Sequence, residues 1–305
     1  MSSKIYDLII IGAGPAGMTA AVYAARKKMD FIMISVDTGG QAAWSGDVEN
    51  YTGYQFITGP ELALKFQEHI KSFGIEVRMP ESAKSIIKRE DMIKVITDKA
   101  QYLSRSAIVA TGKRPRQLNI EGEEVYKNRG VTYCATCDGP LFADKHVAVI
   151  GGGNSSLDAV LGLIKISPQI YLITRDKQLE ADEVMIEKVQ AASNVRILYD
   201  AEPLRIKGDV FVKSLEISEK GKKTVLNVEG VFVEIGLMPN SEFAPVLGQN
   251  PKKEIIVDAH NRTSVPGIFA AGDVTNIPEK QIIIACGEGA KACLSAFHYL
   301  STHKF

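Results

Sequence analysis

Cysteine is scarce in this sequence. Four residues in 305 are too few for the disulfide framework that holds small secreted domains together. Only Cys134 and Cys137 stand close together, which favours a chemical over a structural role for that pair. Charge of one sign is also lacking: Lys plus Arg equals Asp plus Glu at 36 each. With that balance nothing marks a basic nucleic-acid surface or an acidic tail. No apolar stretch is long enough to span a bilayer, because the run from Tyr6 to Ile11 meets Gly12 and Gly14 directly. The polar start, Met1-Ser2-Ser3-Lys4, carries no cleavable apolar segment, so cytoplasmic residence is the expectation and neither nucleic acid nor membrane is an expected partner. With 45% hydrophobic and 24% charged residues nothing marks disorder, and the length allows about two domains, each with its own core.

What is present is chemistry-bearing. Cys134-Ala135-Thr136-Cys137-Asp138 can cycle between dithiol and disulfide, and it lies shortly before a strand and glycine turn, His146 to Gly153. A structural zinc site would need four ligands, and neither a second Cys-x-x-Cys nor a nearby histidine accompanies the pair. Cys286 and Cys293 stand seven apart, on one face if helical, and read as buried free thiols.

Tyr6 to Ile11 reads as a strand entering Gly12-Ala13-Gly14-Pro15-Ala16-Gly17, followed by a helix-forming stretch from Met18 to Arg26. Strand, G-x-G-x-x-G and helix stand in the order a dinucleotide site needs. The first glycine permits the tight turn, the second lets the backbone approach a pyrophosphate, and the third lets the helix pack closely on the strand. The pattern returns as strand His146–Ile150, turn Gly151-Gly152-Gly153-Asn154-Ser155-Ser156, and a helical run from Leu157 to Ile164, with Ser156 in the third position. Strand Gln169–Ile173 follows, ending where such folds place the residue that reads the cofactor ribose. Strands ending at Gly112 and Gly236 read as two crossings between domains. The fold class is therefore α/β, with two Rossmann-like nucleotide-binding domains, the second (113–240) inserted into the first (1–112 and 241–305). Ile268 to Asp273 and a helix from about Gln281 to Leu300 close the first domain.

Taken in order, Gly12 to Gly17, Gly39-Gly40-Gln41, Ala110-Thr111-Gly112, Cys134 to Gly139, Gly151 to Ser155 and Ala271-Gly272-Asp273-Val274 resemble low-molecular-weight thioredoxin reductase over essentially the whole length. The resemblance implies FAD in the discontinuous domain, a pyridine nucleotide and a redox disulfide in the inserted one, and a homodimer. By that resemblance Gly12, Gly14 and Gly17 line the FAD pyrophosphate, and Gly40, Gln41 and Asn50 lie along the FAD. Thr111 and Gly112 belong to the same site, Asp273 bonds the ribityl chain, and Gln281 and Ile282 open the last helix under the flavin pyrimidine. Gly151, Gly153, Asn154, Ser155 and Arg175 fall to the pyridine nucleotide. Cys137 becomes the sulfur facing the flavin, Cys134 the thiol that attacks the protein substrate, and Asp138 the proton donor and acceptor. None of the five histidines falls in the C-terminal His and Glu motif of the larger flavin disulfide reductases, which supports the small class.

One stretch departs from the pattern. Where NADPH-using members place a histidine and arginines around the 2′-phosphate, this chain has Thr174-Arg175-Asp176-Lys177-Gln178-Leu179-Glu180. Only Arg175 survives, and two carboxylates stand where a phosphate would lie, so NADPH is expected to bind poorly. Thr174 is not the acid that would grip the 2′-hydroxyl of NADH. Ala181 to Val184 and Lys280 to Ala292 resemble the flavoprotein of alkyl hydroperoxide reductase, an NADH enzyme with an additional N-terminal thioredoxin-like module. This chain starts at the FAD strand, so electrons are expected to pass to a separate thioredoxin-, glutaredoxin- or peroxiredoxin-system dithiol protein.

The resemblance thus implies hydride transfer from a nicotinamide to FAD, reduction of Cys134-Cys137 by the flavin, and a mixed disulfide with the partner. It also implies a swing of the inserted domain about crossings near Lys113 and Leu237 to Asn240. The rival readings are a flavin reductase fed by ferredoxin or another carrier, and a non-catalytic redox sensor.

Overall fold

The computed structural model describes residues 4–45 and 47–303, and among them the side chains of all but Asp47, Thr136 and Cys137. The chain forms two compact units, one from Met1–Arg114 with Met238–Phe305 and the other from Pro115–Leu237. The second is therefore an insertion in the first.

The first unit opens with β1 (Ile5–Ala13), α1 (Pro15–Arg26) and β2 (Phe31–Thr38). It continues through β3 (Asp47–Val48), β4 (Ile57–Thr58), α2 (Gly59–Ser72), β5 (Val77–Arg78), β6 (Ala83–Arg89), β7 (Met92–Thr97) and β8 (Gln101–Val109) to β9 (Lys113–Pro115). The second unit contains β10 (Val131–Thr132), α3 (Ala135–Asp138), β11 (His146–Ile150), α4 (Asn154–Leu163), β12 (Gln169–Ile173), α5 (Glu183–Ala191), β13 (Val195–Leu198), β14 (Ala201–Gly208), β15 (Val212–Glu219), β16 (Lys222–Asn227) and β17 (Gly230–Val233). The chain returns through β18 (Leu237–Pro239) to β19 (Ile268–Ala270) and α6 (Ile282–Thr302).

In the first unit β5, β2, β1, β8 and β19 run parallel, and β7 and β6 extend the sheet from the other end of β8 as an antiparallel pair. Four consecutive aliphatic residues of β1, Leu8 to Ile11, are at most 3% exposed, which is how a strand covered on both faces must read. Strand alternation then assigns them: Leu8 and Ile10 pack with α1 and α6, and Ile9 and Ile11 pack in the core that includes Ile86 and Val95. Helix α6 meets α1 backbone to backbone, since a Cβ on Gly289 would collide with the Ala16 carbonyl oxygen. At the start of α2 the Thr58 hydroxyl accepts the Glu61 N–H at 3.3 Å, and the Glu61 carboxylate accepts the Thr58 N–H at 3.0 Å. This reciprocal cap satisfies two orphan donors. Thr58→Ala is expected to cost about 1 kcal/mol, read as a lower midpoint in denaturant; an unchanged midpoint would show that the cap is idle.

The second unit has a wholly parallel sheet, β10-β17-β11-β12-β13, and a separate antiparallel sheet, β14-β15-β16. Val147 and Val149 of β11 face the core with α4, and Ala148 and Ile150 face the core with Leu215 and Ile217. The helix expected from Leu157 to Ile164 begins earlier, at Asn154, with Gly153 as its N-cap. The strand expected to reach Gly236 stops at Val233 and leaves Glu234 just beyond its end. No helix among the described residues is long and apolar enough to cross a membrane.

Candidate functional site

In the first unit the glycine turn divides its labour as the pattern requires. Gly12 has φ +108°, and a Cβ there would strike the Ala110 carbonyl oxygen. A Cβ on Gly17 would strike the Gly12 carbonyl oxygen, so α1 lies hard against the turn. A Cβ on Gly14 would meet nothing within 4 Å. That open face, at the start of a helix with no side-chain cap, fits a pyrophosphate.

The other residues assigned to this site come together in pairs. Gly40 approaches Gly14, with 3.4 Å between a Cβ built on Gly40 and the Gly14 Cα. Gln41 Nε2 lies 3.5 Å from Asp273 Oδ2, and Asn50 Nδ2 donates to Gln281 Oε1 at 3.0 Å. The Thr111 hydroxyl donates to the Asn240 carbonyl at 2.6 Å, and the Asn240 amide donates back to the Thr111 carbonyl. The carbonyl of Gly112 accepts the Asn240 N–H. Gln281 is the N-cap of α6 and Ile282 its first residue, with no side chain bonded to the helix start and no acid in its first turn. Burial pushes the Asp273 carboxyl above the usual carboxylate range, against the pull of Lys280 and Lys113.

Behind Asp273 stand two groups that the sequence did not single out. Glu288, 5% exposed, reaches from α6 to accept the Gly272 N–H at 2.8 Å and so secures the turn that carries Asp273. Glu254 sits between Lys113 (2.7 Å) and Lys280 (3.5 Å). Burial alone would raise its carboxyl, but hydrogen bonds from Lys113 and Asn250 and the charge of both lysines hold it down at about 2.

In the second unit Gly151 has φ +144°, and a Cβ there would collide with the Glu234 carbonyl oxygen. Within this turn the tightest side-chain contact is at Gly152, where a Cβ would lie 2.6 Å from Thr174 Oγ1. Gly153 is looser, with the Glu180 carbonyl oxygen 3.7 Å from its would-be Cβ. Ser156 is fully buried, and its hydroxyl donates to the Gly153 carbonyl at 2.7 Å, which accommodates the larger third residue. Asn154 Oδ1 accepts the Asp182 N–H at 2.8 Å, and Ser155 is exposed. Thr174 is 3% exposed and turned inward, accepting the Asp176 N–H at 3.2 Å. The Asp176 carboxylate consequently lies beside the turn, 3.9 Å from the Cβ position of Gly152. Arg175 is exposed.

Cys134 is disulfide-bonded. The side chain of Cys137 lies outside the described ones. The Thr132 hydroxyl accepts the Cys134 N–H at 3.2 Å and donates to Asp138 Oδ2 in a short hydrogen bond, so one hydroxyl links the cysteine backbone to the acid. The Asp138 N–H closes the turn onto the Cys134 carbonyl at 3.1 Å. Glu234 Oε1 accepts the Ala135 N–H at 3.3 Å. Burial pushes the Glu234 carboxyl up to about 7; the Ala135 hydrogen bond opposes this and Asp158 adds to it. A lone acid ending the apolar run Val231-Phe232-Val233 was the available signal for this residue. Cys286 and Cys293 are buried free thiols on α6, as their spacing implied. Burial raises both, Cys293 to about 12.

Two parallel-sheet units, each with a glycine turn of dinucleotide type, and a disulfide in the second define a nucleotide-dependent redox protein of the α/β class. The chain belongs to the pyridine nucleotide-disulphide oxidoreductase family, whose model matches residues 6–289. It is 41% identical over 306 residues to the F component of alkyl hydroperoxide reductase in Xanthomonas campestris pv. phaseoli, covering 98% of this chain and 58% of that protein. It is also 41% identical over 299 residues to a protein of Ferdinandcohnia aciditolerans named NADH dehydrogenase, covering 97% and 57%. The chain thus spans less than two thirds of the length of these curated relatives. Among solved structures, thioredoxin reductase of Lactococcus lactis in its FR conformation matches with a TM-score of 0.80 and 37% identity, over 98% of this chain and 100% of that one.

Proposed function

We propose that this chain is a flavin-dependent disulfide reductase that draws electrons from a nicotinamide dinucleotide, NADH before NADPH. It delivers them through the Cys134-Cys137 pair to a thioredoxin-, glutaredoxin- or peroxiredoxin-system protein. The observation that carries this reading is the disulfide-bonded Cys134 beside α3, tied through Thr132 to Asp138, in a unit that also holds a glycine turn. FAD, when bound by the first unit, supplies the two-electron chemistry between nicotinamide and disulfide. Gly14 would face its pyrophosphate from the turn that Gly12 and Gly17 close, Gln41 and Asp273 would hold its ribityl chain, and Asn50 and Gln281 would lie along the ring. The uncapped N–H groups where α6 begins favour negative charge at that end.

In the second unit Gly151, Gly153, Asn154 and Ser155 would hold the nicotinamide dinucleotide. Asp176 offers an acceptor to ribose hydroxyls at the turn and repels a 2′-phosphate, with Arg175 as the one cation carried over from the NADPH pattern. The Cys134 thiolate attacks the partner's disulfide and forms a mixed disulfide, and Asp138, steadied by Thr132, exchanges the proton at its carboxylate. The same reading carries a homodimer working in the cytoplasm.

Anaerobic titration of the flavin-loaded protein with NADH and NADPH tests it, followed in the visible flavin band. NADH is expected to bleach the flavin at concentrations at least about tenfold lower than NADPH, and Asp176→Arg to narrow that gap. Equal bleaching by both removes the assigned role of Asp176. Bleaching by neither turns the donor to another carrier, such as ferredoxin.

A further inference from the structure

Glu234 has no part in the reading above, yet its position is unusual for a carboxylate. It follows β17, whose four residues are all buried, and its own N–H still donates to the Ile150 carbonyl at 2.9 Å. It stands at the carboxyl end of the parallel sheet against the glycine turn, because a Cβ on Gly151 would run into its carbonyl oxygen. From there the half-buried side chain crosses to α3 and accepts the Ala135 N–H at 3.3 Å. That N–H belongs to the peptide group joining Ala135 to Cys134, so the carboxylate lies one peptide away from the disulfide-bonded cysteine. Among the described side chains, the titratable groups on the elements around it are Cys134 just before α3, Asp138 on α3 and Asp158 on α4. Strand β11 adds only His146, at its opposite end.

We propose that Glu234 is a charge-coupling residue of the disulfide, keeping inside the site a proton that would otherwise be lost when Cys134 is reduced. This rests on the reading of Cys134 as redox-active. A carboxylate bonded to the peptide group that follows Cys134 and a thiolate on that cysteine, in a half-buried place, disfavour one another's ionisation, so in this proposal the two titrate as a pair and retain a proton between them. Reduction by a dithiol breaks the protein's sulfur–sulfur bond, forms the reductant's own cyclic disulfide, and hands over two electrons and two protons. Above the pH at which Glu234 ionises in the oxidised protein, both protons stay. One sits on a sulfur, and the other is shared between the Cys134 sulfur and the Glu234 carboxylate. Without the carboxylate the second proton leaves to solvent and a free thiolate remains. Burial has already raised the Glu234 carboxyl to about 7, which places the effect in the working range of a cell.

The test compares the flavin-loaded protein with Glu234→Gln, whose amide oxygen still accepts the Ala135 N–H. Both are equilibrated with dithiothreitol redox buffers across neutral pH, quenched in acid and alkylated, and Cys134 is counted by mass as thiol or disulfide. Above about pH 7 the equilibrium constant for reduction by dithiothreitol is expected to go on rising tenfold per pH unit in Glu234→Gln, which releases a proton, and to level off in the wild type, which keeps both, so the gap widens tenfold per pH unit, about 30 mV for a two-electron couple. Below it the two proteins should run parallel. A purely structural role leaves the slopes equal throughout, and that result overturns the inference. Asp158→Asn changes an exposed residue and is expected to start the level stretch at lower pH; an unmoved onset also counts against the coupling. A Cys134 that never exchanges with the buffer in either protein fails earlier and differently, since it removes the redox reading itself.

Discussion

Cys134→Ser is expected to abolish reduction of a disulfide-bearing protein partner, by at least about a thousandfold, while leaving bleaching of the flavin by the nicotinamide intact. The physical reason is that exchange needs a sulfur that can carry charge near neutral pH and can be left bonded to another sulfur. A serine oxygen does neither. The cysteine sits where its backbone is already held, with its N–H on Thr132 and its carbonyl receiving the Asp138 N–H, so the substitution removes the sulfur and spares the turn. Stopped-flow bleaching and a coupled assay of partner thiols separate the two halves of the reaction. Retention of partner reduction in the variant would mean that electrons leave by another route, and the assignment of Cys134 as the attacking thiol would fall.

The second large effect is one of stability and concerns Lys113→Met. Lys113 and Glu254 have side chains 12% and 10% exposed and meet at 2.7 Å. Removing the cation leaves a buried carboxylate with the more distant Lys280, at 3.5 Å, as its remaining ion-pair partner among the described residues, a situation that costs about 3 kcal/mol. The dependence on pH has a definite sign. Glu254 is held at about 2 in the folded chain, below the ordinary value of 4.5, so the folded state binds that proton less readily than the unfolded one. Its contribution is present in full above about pH 5 and is lost as pH falls from there through about 2. Denaturant unfolding of wild type and variant should therefore differ most near neutrality and converge in acid. A gap that persists unchanged at acid pH would show that Lys113 contributes through packing of its alkyl stem, not through charge.

Much of the architecture was legible because it rests on local rules. The apolar run Tyr6 to Ile11 leading into a glycine turn reads as a strand, and Gly12 and Gly17 sit where any side chain would hit the backbone. On a helix the spacing of Cys286 and Cys293 places both on one face, and both are buried on α6. Less legible were features that depend on two distant segments meeting. Asp176 looked from the sequence only like a repellent of phosphate, since the expected ribose position, Thr174, is not an acid. In the fold Thr174 turns inward toward Gly152 and brings the Asp176 carboxylate beside the turn. Glu234 read as one more residue of a strand; the apolar run before it marks a lone acid but does not point to the peptide, ninety-nine positions earlier in the chain, whose N–H it accepts.

The sequence by itself determined the α/β class, the two glycine turns and the dithiol motif. Each depends on residues adjacent in the chain, where sterics and strand or helix periodicity act directly. Tertiary structure alone decided the electrostatics: Glu254 depressed between two lysines, Asp273 raised by burial, and Glu234 raised beside the disulfide. A carboxyl's proton affinity is set by how much water it loses and which charges stand within a few ångströms, and both are fixed only when remote segments close around it.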